Sequence, residues 1–81
     1  MPATPITIDP DPPQNGASLT IKADANVALE LSWSPSSIVQ PKTATTNADG
    51  SVTIEVPVGA TTLIIHDPRP GGADDLARNV K

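Results

Sequence analysis

His66 is the only histidine in the chain, and Asp67 follows it directly. Imidazole titrates near neutral pH, so this pair suggests a general base or a metal ligand. Acyl transfer would also need a nucleophile held against the ring. No serine is spaced next to a base here, and cysteine is absent. A surface residue at the end of a strand is the expected role for His66.

The carboxylates offer two further chemistries. Asp9, Asp11, Asp24, Asp49, Asp67, Asp74 and Asp75 carry the hard oxygen ligands that calcium takes. They do not form a D-x-D-x-D-G array with a distal glutamate. Asp-Pro and Asp-Gly are also the pairs that turns use for local hydrogen bonds, so turn formation is expected of them. Glu30 and Glu55 would make a glycosidase pair only if they faced each other across a cleft. A chain of 81 residues filled by aliphatic side chains has no room for a deep one.

Trp33 would suit sugar stacking if it were exposed. It shares strand parity with Val27, Leu29 and Leu31, however, which places it on the apolar face. With no Phe or Tyr to extend a platform, a core tryptophan is expected. No catalytic residue, cofactor or metal follows from these constellations, and the chain reads as non-enzymatic.

The elements that position these residues follow from composition and period. The length suits one small domain, and ten prolines with five glycines suit short strands joined by turns rather than helices. A formal net charge of −4, with Lys22, Lys42, Arg69, Arg78 and Lys81 scattered, excludes a nucleic-acid phosphate binder. No apolar run approaches the length of a membrane-spanning helix.

Alternation predicts strands at residues 6–8, 17–23, 27–34, 52–56 and 61–66. Residues 38–40 and 42–46 are expected to form one edge strand broken at Pro41, which has no N–H to donate. Asn47-Ala48-Asp49-Gly50 supplies residues that tolerate left-handed backbone, so a hairpin into the strand carrying Val52, Ile54 and Val56 is expected. At the end, Asp74–Arg78 would start a helical turn, whereas Leu76, Arg78 and Val80 alternate as a strand does. A last strand is expected because it would close the sheet. The prediction is an all-β, antiparallel two-sheet sandwich of six or seven short strands with extended termini.

Ile6-Thr7-Ile8-Asp9-Pro10-Asp11-Pro12-Pro13, then Gly16 and Leu19-Thr20-Ile21, resemble the first two strands and the proline corner of small immunoglobulin-like domains in bacterial surface proteins and phage structural proteins. Thr46-Asn47-Ala48-Asp49-Gly50 with Val52 and Ile54 resembles a hairpin common in such modules, and Val58-Gly59-Ala60-Thr61-Thr62-Leu63-Ile64-Ile65 continues the likeness. It covers most of residues 6–66. The chain departs from antibody-type domains in lacking both cysteines and the tyrosine corner.

The expected organisation is an extended arm at 1–5, a sandwich core at 6–66, and a loop with a tail or last strand at 67–81. Prolines lower the entropy an arm loses on lying down against a partner, so the ends are the expected interaction elements. Pro2, Thr4, Pro5, Arg69, Arg78 and Lys81 are the candidate contact residues. The N-terminus has no positive n-region or apolar h-region. With Met1 as the native start, the resemblance implies a phage capsid decoration or cement protein made in the host cytoplasm, residing on the virion and bound to the major capsid protein, with a homo-oligomer on the particle surface as a further expected partner state. The alternative is a spacer or ligand-binding module of a bacterial surface adhesin or secreted enzyme, extracellular or at the cell surface.

Overall fold

The computed structural model describes residues 3–81; Met1 and Pro2 lie outside the described residues. Seven strands form: β1 Thr7–Asp9, β2 Ser18–Lys22, β3 Ala28–Ser34, β4 Thr43–Thr45, β5 Ser51–Glu55, β6 Thr62–His66 and β7 Leu76–Asn79. They build two antiparallel sheets, β1-β2-β5 and β4-β3-β6-β7. The protein is a small β-sandwich, with no helix among the described residues.

Period-two patterning explains which side chains fill it. Leu19 and Ile21 from β2 face Leu29, Leu31 and Trp33 from β3 and Leu63 and Ile65 from β6, and all are buried. Burying such aliphatic side chains contributes about 1.5–3 kcal/mol each, the main favourable term in a domain without disulfides. Trp33 lies in this core, and its indole Nε1 donates to the Pro41 carbonyl at 2.7 Å. That bond satisfies the polar tip of the ring and holds the 35–42 connection against the body.

The last strand forms as its alternation predicts. Leu76 and Val80 pack on the core, and β7 pairs with β6 from Thr62↔Asn79 to Ile65↔Leu76. The folded unit therefore runs past residue 66 to the end of the chain.

Two expectations are corrected. Residues 38–40 are not strand, and the fourth strand is Thr43–Thr45 alone. The Asn47–Gly50 turn is not a hairpin, because β4 pairs with β3 whereas β5 pairs with β2 in the other sheet. The reason is local. Buried Thr46 accepts the Val27 N–H on Oγ1 at 2.9 Å and donates to the Asp24 carbonyl at 2.6 Å, which ties β4 to the start of β3. Four residues later the Gly50 carbonyl accepts the Ala23 N–H at 2.8 Å and commits the chain to β2. Asn47 Oδ1 accepts the N–H groups of Asp49 and Ser51 and shapes the crossing between sheets.

Candidate functional site

At one end of β2 the connections converge on Asp24. Its backbone carbonyl takes the Thr46 hydroxyl, and its carboxylate accepts the Thr4 N–H at 3.2 Å and Arg69 Nη2 at 2.8 Å. Arg69 also donates Nε to Asp67 Oδ1 at 3.0 Å and Nη2 to Asp67 Oδ2 at 2.6 Å. Asp67 is the one carboxylate buried among the described residues, at 3 % exposure. The backbone N–H groups of Arg69 and Ala73 complete its shell. A buried charge costs several kcal/mol unless it is paired and hydrogen-bonded, and here it is both.

These contacts set the electrostatics. The hydrogen bonds from Arg69 hold the Asp67 carboxyl well below the usual carboxylate range, against the opposing effect of burial. Hydrogen bonds from Thr4 and then Arg69 lower Asp24. The guanidinium is pushed up in turn, first by Asp67 and then by Asp24. A Cβ on Gly72 would stand 2.5 Å from Asp67 Cγ, so glycine is required there by close approach to the carboxylate.

The opposite end of β2 has its own hub in Asn15. Its Nδ2 donates to the carbonyls of Ala60 and Lys81, its Oδ1 accepts the Gly59 N–H at 2.7 Å, and its backbone N–H donates to the Lys81 carbonyl. Lys81 N–H returns to the Pro13 carbonyl. Between the hubs, exposed Arg78 on β7 reaches Asp11 Oδ1 with its Nε at 3.0 Å, a surface ion pair that links β7 to the loop after β1.

His66 sits at the end of β6, half exposed, with Nδ1 2.7 Å from Asp75 Oδ1. Its partner is Asp75 rather than the adjacent Asp67, because strand alternation turns neighbours to opposite faces. Glu30 lies directly across the ladder from His66. The hydrogen bond to Asp75 raises the imidazole pKa above its ordinary value, and the charges of Asp75, Glu30 and Asp67 act in the same direction. No hydroxyl among the described residues is hydrogen-bonded to the ring. The row is an ion pair on a sheet face, with no nucleophile attached.

Among the described residues no group of three or more His, Asp or Glu side chains is arranged to hold a metal ion. Asp24 and Asp67 receive Arg69, Asp11 receives Arg78, and Asp75 receives His66. Glu30 and Glu55 stand on the outer faces of different sheets.

The candidate contact residues do not come together as one surface. Arg69 belongs to the Asp24 end, whereas Lys81 belongs to the Asn15 end. Arg69 and Arg78 are each engaged by carboxylates of the same chain, and Thr4 is anchored by its N–H. Pro5 lines a shallow groove with Ile6 and Leu76, and Pro2 lies outside the described residues. Sequence reasoning missed Asp67 as a buried anchor. The available signal was Asp67-Pro68-Arg69 with two glycines following, a compact loop carrying opposite charges two residues apart.

An open side of the sandwich lies along β5. Val52 and Ile54 are only half-buried because β5 ends its sheet, and a groove of about 700 Å³ runs beside Ile54, Val56 and Pro41. Val58, 83 % exposed, stands at its rim.

Fold and side chains together define a small antiparallel β-sandwich whose ends are locked by polar hubs and whose β5 side is open. No protein-family model matches the chain, and neither a curated protein nor a solved structure matches it.

Proposed function

We propose that this chain is a non-enzymatic structural module of immunoglobulin-like type that docks onto a larger assembly, most specifically a decoration or cement protein on the exterior of a phage capsid, with the major capsid protein as its partner. The observation that carries the reading is how the polar side chains are used. Asp24, Asp67, Arg69, Asn15 and Arg78 all bind other parts of the same chain and lock the loops and both ends of the described chain to the body. A rigid block loses little conformational entropy on docking, which favours association.

Strand order supports the immunoglobulin-like part of the reading. β1, β2 and β5 occupy one sheet and β3, β6 and β7 the other, the arrangement of the A, B, E and C, F, G strands of such domains. The fourth strand differs from the constant-type pattern in joining the β3 sheet. Both outer faces carry short hydroxyl side chains, among them Ser18, Thr20 and Thr53 on one and Ser32, Ser34 and Thr62 on the other. Such faces suit a particle exterior. Folding needs no oxidation, since the chain has no cysteine.

The test is to mix the purified protein with capsids assembled without it. Saturable binding and greater resistance of the decorated particles to heat or osmotic shock are expected. Absence of binding, or unchanged particle resistance, ends the capsid reading.

A further inference from the structure

β5 presents an unpaired backbone edge beside an apolar groove. Its hydrogen bonds to β2 alternate. The Gly50 carbonyl accepts the Ala23 N–H and the Val56 N–H donates to the Ala17 carbonyl, both between direct partners in the same register, so Val52 and Ile54 turn their backbone groups toward β2 as well. Thr53 and Glu55 therefore point theirs away. The Thr20 and Thr53 hydroxyls meet at 3.2 Å, as expected for a pair without backbone bonds, where side chains lie closer.

Chemistry on either side limits this edge to two residues. Ser51 has both backbone groups taken by Asn47, through Oδ1 and the backbone N–H. Pro57 has no N–H to offer. What remains is the N–H and C=O of Thr53 and of Glu55, with no backbone partner among the described residues. Ile54, between them, points the other way into the groove with Val56 and Pro41. Glu55 is the one charged residue that borders the groove, and its side chain stands on the outer face beside Thr53.

We propose that the outer edge of β5 receives an extended strand of a partner protein, carrying a basic residue opposite Glu55, an apolar residue opposite Ile54 and a small hydroxyl residue opposite Thr53. Strand addition gives affinity through main-chain bonds and specificity through alternate side chains. The four exposed backbone groups set the register, the groove takes the apolar side chain, and Glu55 selects the cation. A second copy of this chain fits less well. Two-fold pairing would set Thr53 against Glu55 and leave both carboxylates without a cation, between chains that each carry a net charge of −4. The inference rests on the reading of the chain as a docking module but not on the capsid as its target.

The probe is an acetylated, amidated peptide Lys-Val-Thr-Val-Lys, whose pattern is the same in either strand direction, titrated into the full chain by NMR. Its dissociation constant is expected to be at least tenfold lower than that of Glu-Val-Thr-Val-Glu, with the largest amide shifts at Thr53 and Glu55. Glu55→Lys, on an exposed face, should reverse the preference. Thr53→Pro removes an outward donor from an edge strand, where proline is tolerated, and should abolish binding. Backbone N-methylation of the peptide makes the same test from the ligand side if that variant loses its fold. Equal affinity for both peptides, undisturbed Thr53 and Glu55 amides, or undiminished binding by Thr53→Pro would overturn the proposal. So would a dimer in sedimentation equilibrium that Thr53→Pro dissociates, which would assign the edge to a second copy. Peptide binding alongside failure to bind capsids would leave the edge standing and remove only the capsid.

Discussion

Arg69 closes on Asp67, only two residues away, through both its backbone N–H and its guanidinium, and the same guanidinium crosses to Asp24 on another connection. A charge pair local in sequence thereby becomes the tie between the β6–β7 loop and the β2–β3 turn. Arg69→Met is expected to lower stability, because the buried Asp67 carboxylate is left without its cation, although water already screens the partly exposed guanidinium. Asp67→Asn in the same background should recover part of it, because no uncompensated charge is left inside. Urea denaturation of the two single variants and the double variant measures the coupling, and a coupling near zero would dismiss the tie.

Acid should release the same cluster. The Asp67 carboxyl is held far below its ordinary value of 3.8, so the folded state binds fewer protons than the unfolded state in the acid range. Its contribution is present above about pH 4 and is lost as pH falls toward the folded value. Asp24 is shifted the same way. The melting temperature is expected to fall steeply below about pH 4, and Asp67→Asn should flatten that limb. Thermal melts between about pH 2 and pH 7 by circular dichroism provide the measurement.

His66 has the opposite sign. Its folded pKa lies above 6.5, so the stabilising contribution is complete below that value and disappears as pH rises through the folded value. Imidazole titration followed by NMR should place His66 above 6.5, and Asp75→Asn should move it down. An unchanged titration in that variant would show that Asp75 does not act on the ring.

Gly50 and Gly59 both have positive φ, at 81° and 94°, but only one is crowded. A Cβ at Gly50 would run into the Ala23 carbonyl oxygen, while a Cβ at Gly59 meets nothing within 4 Å. Gly59→Ala is expected to cost about 1–2 kcal/mol, the conformational penalty alone. Gly50→Ala should cost more, because the crossing from β4 to β5 must shift as well. Equal losses for the two variants, measured by chemical denaturation, would mean that the Ala23 contact is relieved without cost.

Most strands were legible because one face of each is buried. Alternation locates β2, β3 and β6 to within a residue or so, since slipping the register by one would expose Leu19, Leu29 or Leu63. β4 is shorter than its residues suggest, because Ile38 and Val39 are β-branched and the sequence holds no sign that Trp33 Nε1 takes the Pro41 carbonyl. The supposed hairpin failed for a similar reason. Turn chemistry at 47–50 is local, but the choice of strand partner depends on Thr46 reaching Asp24 and Val27 about twenty residues upstream.

The sequence alone determined the class: an all-β sandwich, its core parity, and the lack of cysteine chemistry, since these depend on composition and on a period of two. Tertiary structure decided which polar residues act together. Asp67 is a buried anchor as well as a turn former, Asp75 is the partner of His66, and the candidate arginines are internal ties. It also exposed the Thr53–Glu55 edge, which depends on which side of β5 finds a partner strand. Periodicity along a chain assigns faces, but edges and ion pairs are set by contacts between segments remote in sequence, which no local pattern encodes.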